Sequence, residues 1–167
     1  MNMDIRQTTI TDAPNVAELL EDARKYKNSI GDTAWGDEPF TNNEVEALLA
    51  NGVSYIAFID EIPAGFANTT TEDPRLWGDT AKDEKGLYIH RFVSSSMFRG
   101  RGIGKEMLDF LGNKAVEQDK KYLRLDCETT NPKLQNYYIN QGFNKIGTKD
   151  MERYVACLLE KQISTDT

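Results

Sequence analysis

Residues 3–10 alternate apolar and polar side chains in the period-two pattern of a β-strand, and Thr11-Asp12 followed by Pro14 is a helix-start signal. Over residues 14–26, Val16, Leu19, Leu20 and Ala23 recur at three- and four-residue spacing. That spacing predicts a helix with one buried stripe and with Glu18, Glu21, Asp22, Arg24 and Lys25 facing water. After a polar stretch at 27–40, Thr41 and Glu44 have the spacing of a capping box. They open a second helix that carries Val45, Leu48 and Leu49 and stops at Asn51-Gly52. Short β-prone runs at 53–59 and 64–70 flank Asp60-Glu61-Ile62-Pro63 and read as an antiparallel hairpin. Residues 71–85 are polar apart from Leu76 and Trp77 and read as a long loop. Residues 86–93 are apolar on both alternating sets, Leu87, Ile89 and Val93 on one and Tyr88 and Phe92 on the other, which predicts a central strand covered on both faces. A third amphipathic helix follows on Ile103, Met107, Leu108, Leu111 and Ala115. Then come a strand at 122–127, a helix at 132–141 ending at Gly142, and strands at 143–148 and 154–159.

No repeat or composition break interrupts this order, so the chain reads as one α/β (α+β) domain over residues 1–162 with a disordered tail at 163–167. At 167 residues with 39% hydrophobic and 28% charged, it has the make-up of a folded globular protein. Twenty Lys and Arg against 27 Asp and Glu leave a net charge of −7, a poor field for a non-specific nucleic-acid binder and one that favours small cations. Any anion must be held locally. The two cysteines, Cys127 and Cys157, sit in apolar runs and do not make a disulfide framework or a sulfur-ligand zinc site; with His90 the lone histidine, no metal site is expected. The first residues lack a signal-peptide pattern, and no apolar run approaches the ~20 residues of a spanning helix. The expected compartment is cytoplasmic, with no membrane or nucleic-acid partner.

The chemistry concentrates in Arg99-Gly100-Arg101-Gly102-Ile103-Gly104-Lys105, between a predicted strand and a predicted helix. Alternating glycines let backbone N–H groups approach a ligand, and the helix start adds free donors and the positive dipole end, which together make a phosphate cradle. Arg99, Arg101 and Lys105 add positive charge. The segment is not a P-loop, because Glu106 follows Gly104-Lys105 and arginine occupies position 99. It also misses the third glycine of a dinucleotide fingerprint, although Asp126 stands at a suitable distance downstream.

The segment does fit the pattern Q/R-x-x-G-x-G/A, and it resembles the acyl-CoA pyrophosphate loop of the GNAT superfamily of N-acetyltransferases. Asn131-Pro132-Lys133-Leu134-Gln135-Asn136-Tyr137-Tyr138-Ile139-Asn140-Gln141-Gly142-Phe143 resembles a second motif of that family, with asparagine, tyrosine and glycine-phenylalanine in register. The predicted element order is also the family's. The resemblance implies a mixed, mostly antiparallel central sheet flanked by about four helices, with a splayed central strand pair. It implies acetyl-CoA as acyl donor, with no metal, and a primary amine of a small molecule or peptide as acceptor, attacking directly in a ternary complex of a monomeric or homodimeric protein. Carried onto this chain, Arg91, Phe92 and Val93 would pair with the pantetheine arm as an added strand does. The pyrophosphate would sit on Arg99, Gly100, Arg101, Gly102, Ile103, Gly104 and Lys105, and Asn131 would contact the pantetheine arm. Ser94-Ser95-Ser96-Met97 sets Val93 one residue further from Arg99 than in the commonest version.

By the same resemblance Tyr138 would protonate the departing thiolate, with neighbouring Tyr137 facing elsewhere as a control. An acceptor alkylamine of pKa about 10.4 lies ~3.4 units, or about 4.6 kcal/mol, from its neutral form at pH 7, so a group must take its proton. Strand alternation puts Asp126 and Glu128 on one face, with Leu125 and Cys127 on the other. Asp126 is the better base or amine-binding residue because several family members carry an acid there, and Glu128 is a second amine-binding candidate. Trp35, with Tyr26 and Trp77, is a candidate lining of the amine pocket; His90 and Cys127 are weaker catalytic candidates. The rivals are a non-catalytic acyl-CoA sensor module and a dinucleotide-binding domain.

Overall fold

The computed structural model describes residues 2–163. Of the tail expected at 163–167, Ile163 still donates its N–H to the Lys121 carbonyl at 2.9 Å, and residues 164–167 lie outside the described residues. The elements are β1 (Met3–Gln7), α1 (Ala13–Ser29), α2 (Asn42–Ala50), β2 (Val53–Ile59), β3 (Ile62–Thr70), α3 (Pro74–Trp77), β4 (Gly86–Ser94), α4 (Ile103–Glu117), β5 (Tyr122–Glu128), α5 (Pro132–Asn140), β6 (Asn144–Asp150) and β7 (Val155–Gln162). The strands form one sheet in the order β1-β2-β3-β4-β5-β7-β6. Every pairing is antiparallel except β4 with β5. A dinucleotide-binding domain requires an open, mostly parallel sheet, so the topology removes that rival.

The β4–β5 ladder covers only Gly86↔Tyr122, Leu87↔Leu123 and Tyr88↔Arg124. Beyond Tyr88 the two strands separate, as expected for a splayed central pair. β4 stays on β3 and β5 stays on β7, so each strand keeps one edge satisfied and turns the other to the gap.

One face of the sheet packs Tyr55, Ala57, Leu87, Ile89, Leu123 and Leu125 against Ile103, Met107, Leu108 and Leu111 of α4. The opposite face packs Ile56, Phe66 and Val93 against Val16, Leu19 and Leu20 of α1 and Val45 of α2. Regular alternation puts Val93 with Leu87 and Ile89, yet it joins the other face. The cause is a β-bulge: Phe66 pairs with Val93 and Asn68 with His90, so β4 uses one residue more than β3. The bulged segment contains Arg91 at φ 53°, a left-handed backbone uncommon for a non-glycine residue.

Two other details depart from the pattern. The hairpin turn is only Asp60-Glu61, both at positive φ, with β3 starting at Ile62. Arg24 does not face water: it is 6% exposed, pairs with Glu21, and donates to the Asp37 carbonyl at 3.0 Å. Periodicity misplaces such a side chain because its burial depends on partners outside the helix. The capping box of α2 is present, with Thr41 Oγ1 accepting from Glu44 N–H at 3.1 Å and Glu44 Oε1 accepting from Thr41 N–H at 3.1 Å.

Candidate active site

The gap between β4 and β5 opens into a cleft of about 840 Å³. One end is the glycine-rich turn. Gly100 and Gly102 have φ of +79° and +77°, and a Cβ built on either meets no atom within 4 Å. The first turn-closing bond of α4 runs from Glu106 N–H to the Gly102 carbonyl at 3.1 Å. The N–H groups of Ile103, Gly104 and Lys105 therefore have no intrahelical acceptor and carry the positive end of the helix dipole. Gly104 plays a different part, because a Cβ there collides with Tyr137 Oη.

The turn's side chains diverge. Arg99 lines the cleft and stacks over Tyr26 at 4.4 Å. Arg101 lies over Phe98 at 5.7 Å and Lys105 pairs with Asp109 at 2.9 Å; neither side chain belongs to the cleft wall. Ile103 and Val93 are buried in the core, which leaves their backbone as what they can present. The glycine assignment is open to a stability test. Gly104→Ala is expected to cost about 1–3 kcal/mol in urea unfolding through overpacking. Tyr137→Phe in the same chain should recover part of that loss, since it removes the colliding oxygen and the next ring atom stands 3.2 Å away.

Tyr138 projects from α5 into the middle of the cleft at 4% exposure. Its ring packs against Phe92, Tyr137 and Phe143 at centroid distances of 6.3, 5.5 and 5.6 Å. Its hydroxyl makes no hydrogen bond among the described residues, and burial holds its pKa well above the ordinary tyrosine value. Tyr137 does not face elsewhere: it lines the same cleft and lies under Gly104. Both adjacent tyrosines reach the cleft because Lys133, Leu134, Tyr137 and Tyr138, spaced i, i+1, i+4 and i+5, make up the face of α5 that lines it.

Across from Tyr138, Asp126 is partly buried and accepts a hydrogen bond from Tyr154 Oη at 3.1 Å. Burial raises its pKa, and the bond from Tyr154 only partly opposes this. Glu128 borders the cleft but is engaged elsewhere: its Oε2 accepts from Thr33 N–H at 3.1 Å, and its carboxyl is paired with that of Asp32. Asp32, 1% exposed, accepts from Asn131 Nδ2 at 2.8 Å and from Lys27 Nζ at 3.2 Å. Burial pushes both carboxyls up, but Glu128, Asn131 and Lys27 hold Asp32 below the ordinary aspartate value, while Asp32 raises Glu128 further. Asp32 has no sequence signal, because it lies in an aperiodic loop. Asn131 caps α5, its Oδ1 accepting from Leu134 N–H at 3.2 Å, so both ends of its amide already bond to protein.

Trp35 lines the cleft, but its ring already stacks with Lys27 and Arg91, 5.1 and 4.9 Å from the ring centre. Trp77 is not among the residues that line it; it packs with Leu76, Tyr88 and Ala156, in a cluster whose Leu76, Met151 and Tyr154 do border the cleft. The Cys127 thiol is pushed up to about 12 by burial first, which keeps it from nucleophilic work at neutral pH. His90 bonds Thr70 Oγ1 at 2.9 Å, and burial lowers its pKa. No group of three or more metal-ligating side chains occurs among the described residues, and no helix there is long and apolar enough to cross a membrane.

Residues 16–143 match the acetyltransferase (GNAT) family model. The chain is 32% identical over 94 residues to the uncharacterized N-acetyltransferase YesJ of Bacillus subtilis, spanning 56% of this chain and 50% of that one. A second relative, an uncharacterized N-acetyltransferase of Lactobacillus delbrueckii encoded in the pepI 3' region, is 28% identical over 91 residues, 54% of this chain and 51% of that one. The chain thus spans about half the length of these relatives. Among solved structures, a GNAT-family acetyltransferase from Listeria monocytogenes superposes with a TM-score of 0.78 at 26% identity, covering 96% of this chain and 94% of that one. The putative acetyltransferase yncA of Salmonella typhimurium, solved with its cofactor acetyl-CoA, shares the fold at a TM-score of 0.71 and 16% identity, covering 100% and 97%.

Proposed function

Because the chain belongs to the acetyltransferase (GNAT) family, we propose that it moves an acetyl group from acetyl-CoA to a primary amine of a small molecule or peptide, by direct attack in a ternary complex. One observation carries the reading: the gap between β4 and β5 joins the open N-terminus of α4 to the unpartnered hydroxyl of Tyr138 within a single cleft. The residues fit acetyl-CoA. Gly100 and Gly102 leave room for a diphosphate above free N–H donors, and the free edge of β4 from Arg91 to Val93 offers strand-like pairing to a pantetheine arm. Arg99 lines the same wall, whereas Lys105 offers its free backbone N–H and Arg101, whose N–H donates to the Phe98 carbonyl at 3.1 Å, contributes no donor. Asn131 borders the arm's path while holding α5 and Asp32 in place.

When bound, acetyl-CoA supplies an activated thioester. β4 amides that β5 leaves unpaired can polarise an acyl carbonyl. Asp126 takes the acceptor's proton, directly or through a water; its raised pKa makes it a stronger base than an ordinary carboxylate. Tyr138 keeps its proton at neutral pH and donates it toward the developing thiolate, a charge that the same desolvated setting makes costly to leave unbonded.

Asp126 works as a carboxylate, so kcat/KM should rise with pH through a group titrating above the ordinary aspartate value of 3.8. Asp126→Asn is expected to remove that limb, leaving only the acceptor's own titration. An unchanged profile would take the base role away from Asp126. The broad test is thiol release from acetyl-CoA over a panel of diverse amines, beside calorimetry with acetyl-CoA and with NAD. Binding without release for every amine would instead describe an acyl-CoA sensor.

A further inference from the structure

The acceptor side of the cleft holds an arrangement at odds with the acidic character of the chain. Three guanidinium groups from separate elements line it: Arg75 on α3, Arg91 on the β4 bulge and Arg153 on the β6–β7 turn. None makes an ion pair or side-chain hydrogen bond among the described residues. By contrast, Arg6, Arg24 and Arg124 each hold a carboxylate.

Two of the three, Arg91 and Arg153, are held in place by other means. Arg91 lies over Trp35 and Phe40 at 4.9 and 5.1 Å, stacking that fixes the guanidinium plane without using its N–H donors. Arg153 rests against Gly36, where a Cβ would stand 2.7 Å from its Nη2; the glycine makes the room. The charges share one region, since the field of Arg153 reaches Arg91, and those of Arg75 and Arg91 reach His90 and Tyr154. Asp126, bonded to Tyr154, lies among them, with Glu44 and Asp73 also within electrostatic reach; none is within ion-pair distance of the arginines.

Unpaired guanidiniums gathered at one wall, Arg91 partly buried and Arg75 and Arg153 exposed, repel a simple cation and leave planar forks of donors for an oxyanion. The Trp35 ring, which would attract a cationic amine, already carries two cations of the chain, Lys27 and Arg91. We propose, resting on the acetyl-transfer reading above, that the acceptor is an amine that also carries an oxyanion, carboxylate or phosphate, gripped by Arg75, Arg91 and Arg153 while its amino group faces Asp126. The small cation favoured by net charge alone is thereby disfavoured. Local charge at the cleft outweighs a diffuse field screened over ~8–10 Å.

The test pairs each anionic acceptor with a neutralised twin: amino acids of varied side chain against their carboxamides, and phosphoethanolamine against ethanolamine. Acetyl-CoA affinity is measured on the same samples by calorimetry. At least one anionic member should be acetylated with kcat/KM about tenfold or more above its twin, and the arm in which this occurs identifies the oxyanion. Arg75→Gln and Arg153→Gln, both at exposed positions, should each move that ratio toward one while acetyl-CoA affinity stays near wild type. Twins acetylated equally well, no anionic member acetylated, or a ratio untouched by both substitutions would overturn the proposal. Loss of acetyl-CoA binding in the wild-type chain would instead remove the acetyl-transfer reading beneath it.

Discussion

Gly102→Glu is expected to raise the dissociation constant for acetyl-CoA by roughly 10²-fold or more. Gly102 is the residue before α4 and stands at φ +77°, with open space where a side chain would go. A glutamate there meets no steric barrier, so the chain should still fold, at a backbone cost of about 1–2 kcal/mol for the left-handed conformation. Its carboxylate would satisfy the same free N–H groups that a diphosphate needs, and the helix dipole would hold it there. A like charge ~5 Å away at an effective dielectric of ~20 costs about 3 kcal/mol, which is roughly 10²-fold in affinity. Gly102→Asn separates the two effects, since asparagine tolerates the left-handed backbone without adding charge; it should bind far better than Gly102→Glu. Calorimetric titration measures both. Wild-type affinity in Gly102→Glu would mean that the diphosphate sits elsewhere.

Tyr138→Phe is expected to lower kcat by roughly 10²–10⁴-fold, the usual range for a lost general acid, with acetyl-CoA affinity changed by no more than a few-fold. The substitution is clean for a structural reason. The ring's contacts are edge or tilted packings against Phe92, Tyr137 and Phe143, all of which phenylalanine keeps. The hydroxyl bonds nothing among the described residues, so its removal orphans no buried partner. Melting temperature should therefore hardly move, and a fall in kcat would report chemistry rather than misfolding. Steady-state thiol release under saturating acetyl-CoA is the measurement. Equal turnover in the two enzymes would leave Tyr138 as a packing residue.

The elements and their order were legible because apolar spacing is a local signal: α1, α2, α4 and the seven strands all fall where periodicity and capping put them, within a few residues. The short α3 was not, since four residues are too few to show a period. Long-range placement was harder to read. Val93 changes face because a bulge at Arg91 adds a residue to β4, and nothing in Arg91-Phe92-Val93 announces it. Trp77 is kept off the cleft wall because Leu76, Tyr88 and Ala156 offer it a packed site of its own. At the cleft, the glycine turn and α5 could be located from their motifs, which are contiguous in the chain. The Asp32–Glu128 pair and the three unpaired arginines bring together residues far apart in sequence, and only the fold places them side by side.

The brevity of the contact between β4 and β5 bears on how the molecule behaves as a whole. With only three rungs joining its two halves, the sheet has a seam at its centre, and backbone amides along the inner edges should exchange with solvent at a lower opening energy than those deep in either half. A ligand that lies in the seam and bonds to both edges acts as the missing rungs. Occupancy would then stiffen the sheet as one cooperative unit, raising overall stability by RT ln(1 + [L]/Kd). The same geometry that admits an acyl donor would couple its concentration to the protein's lifetime.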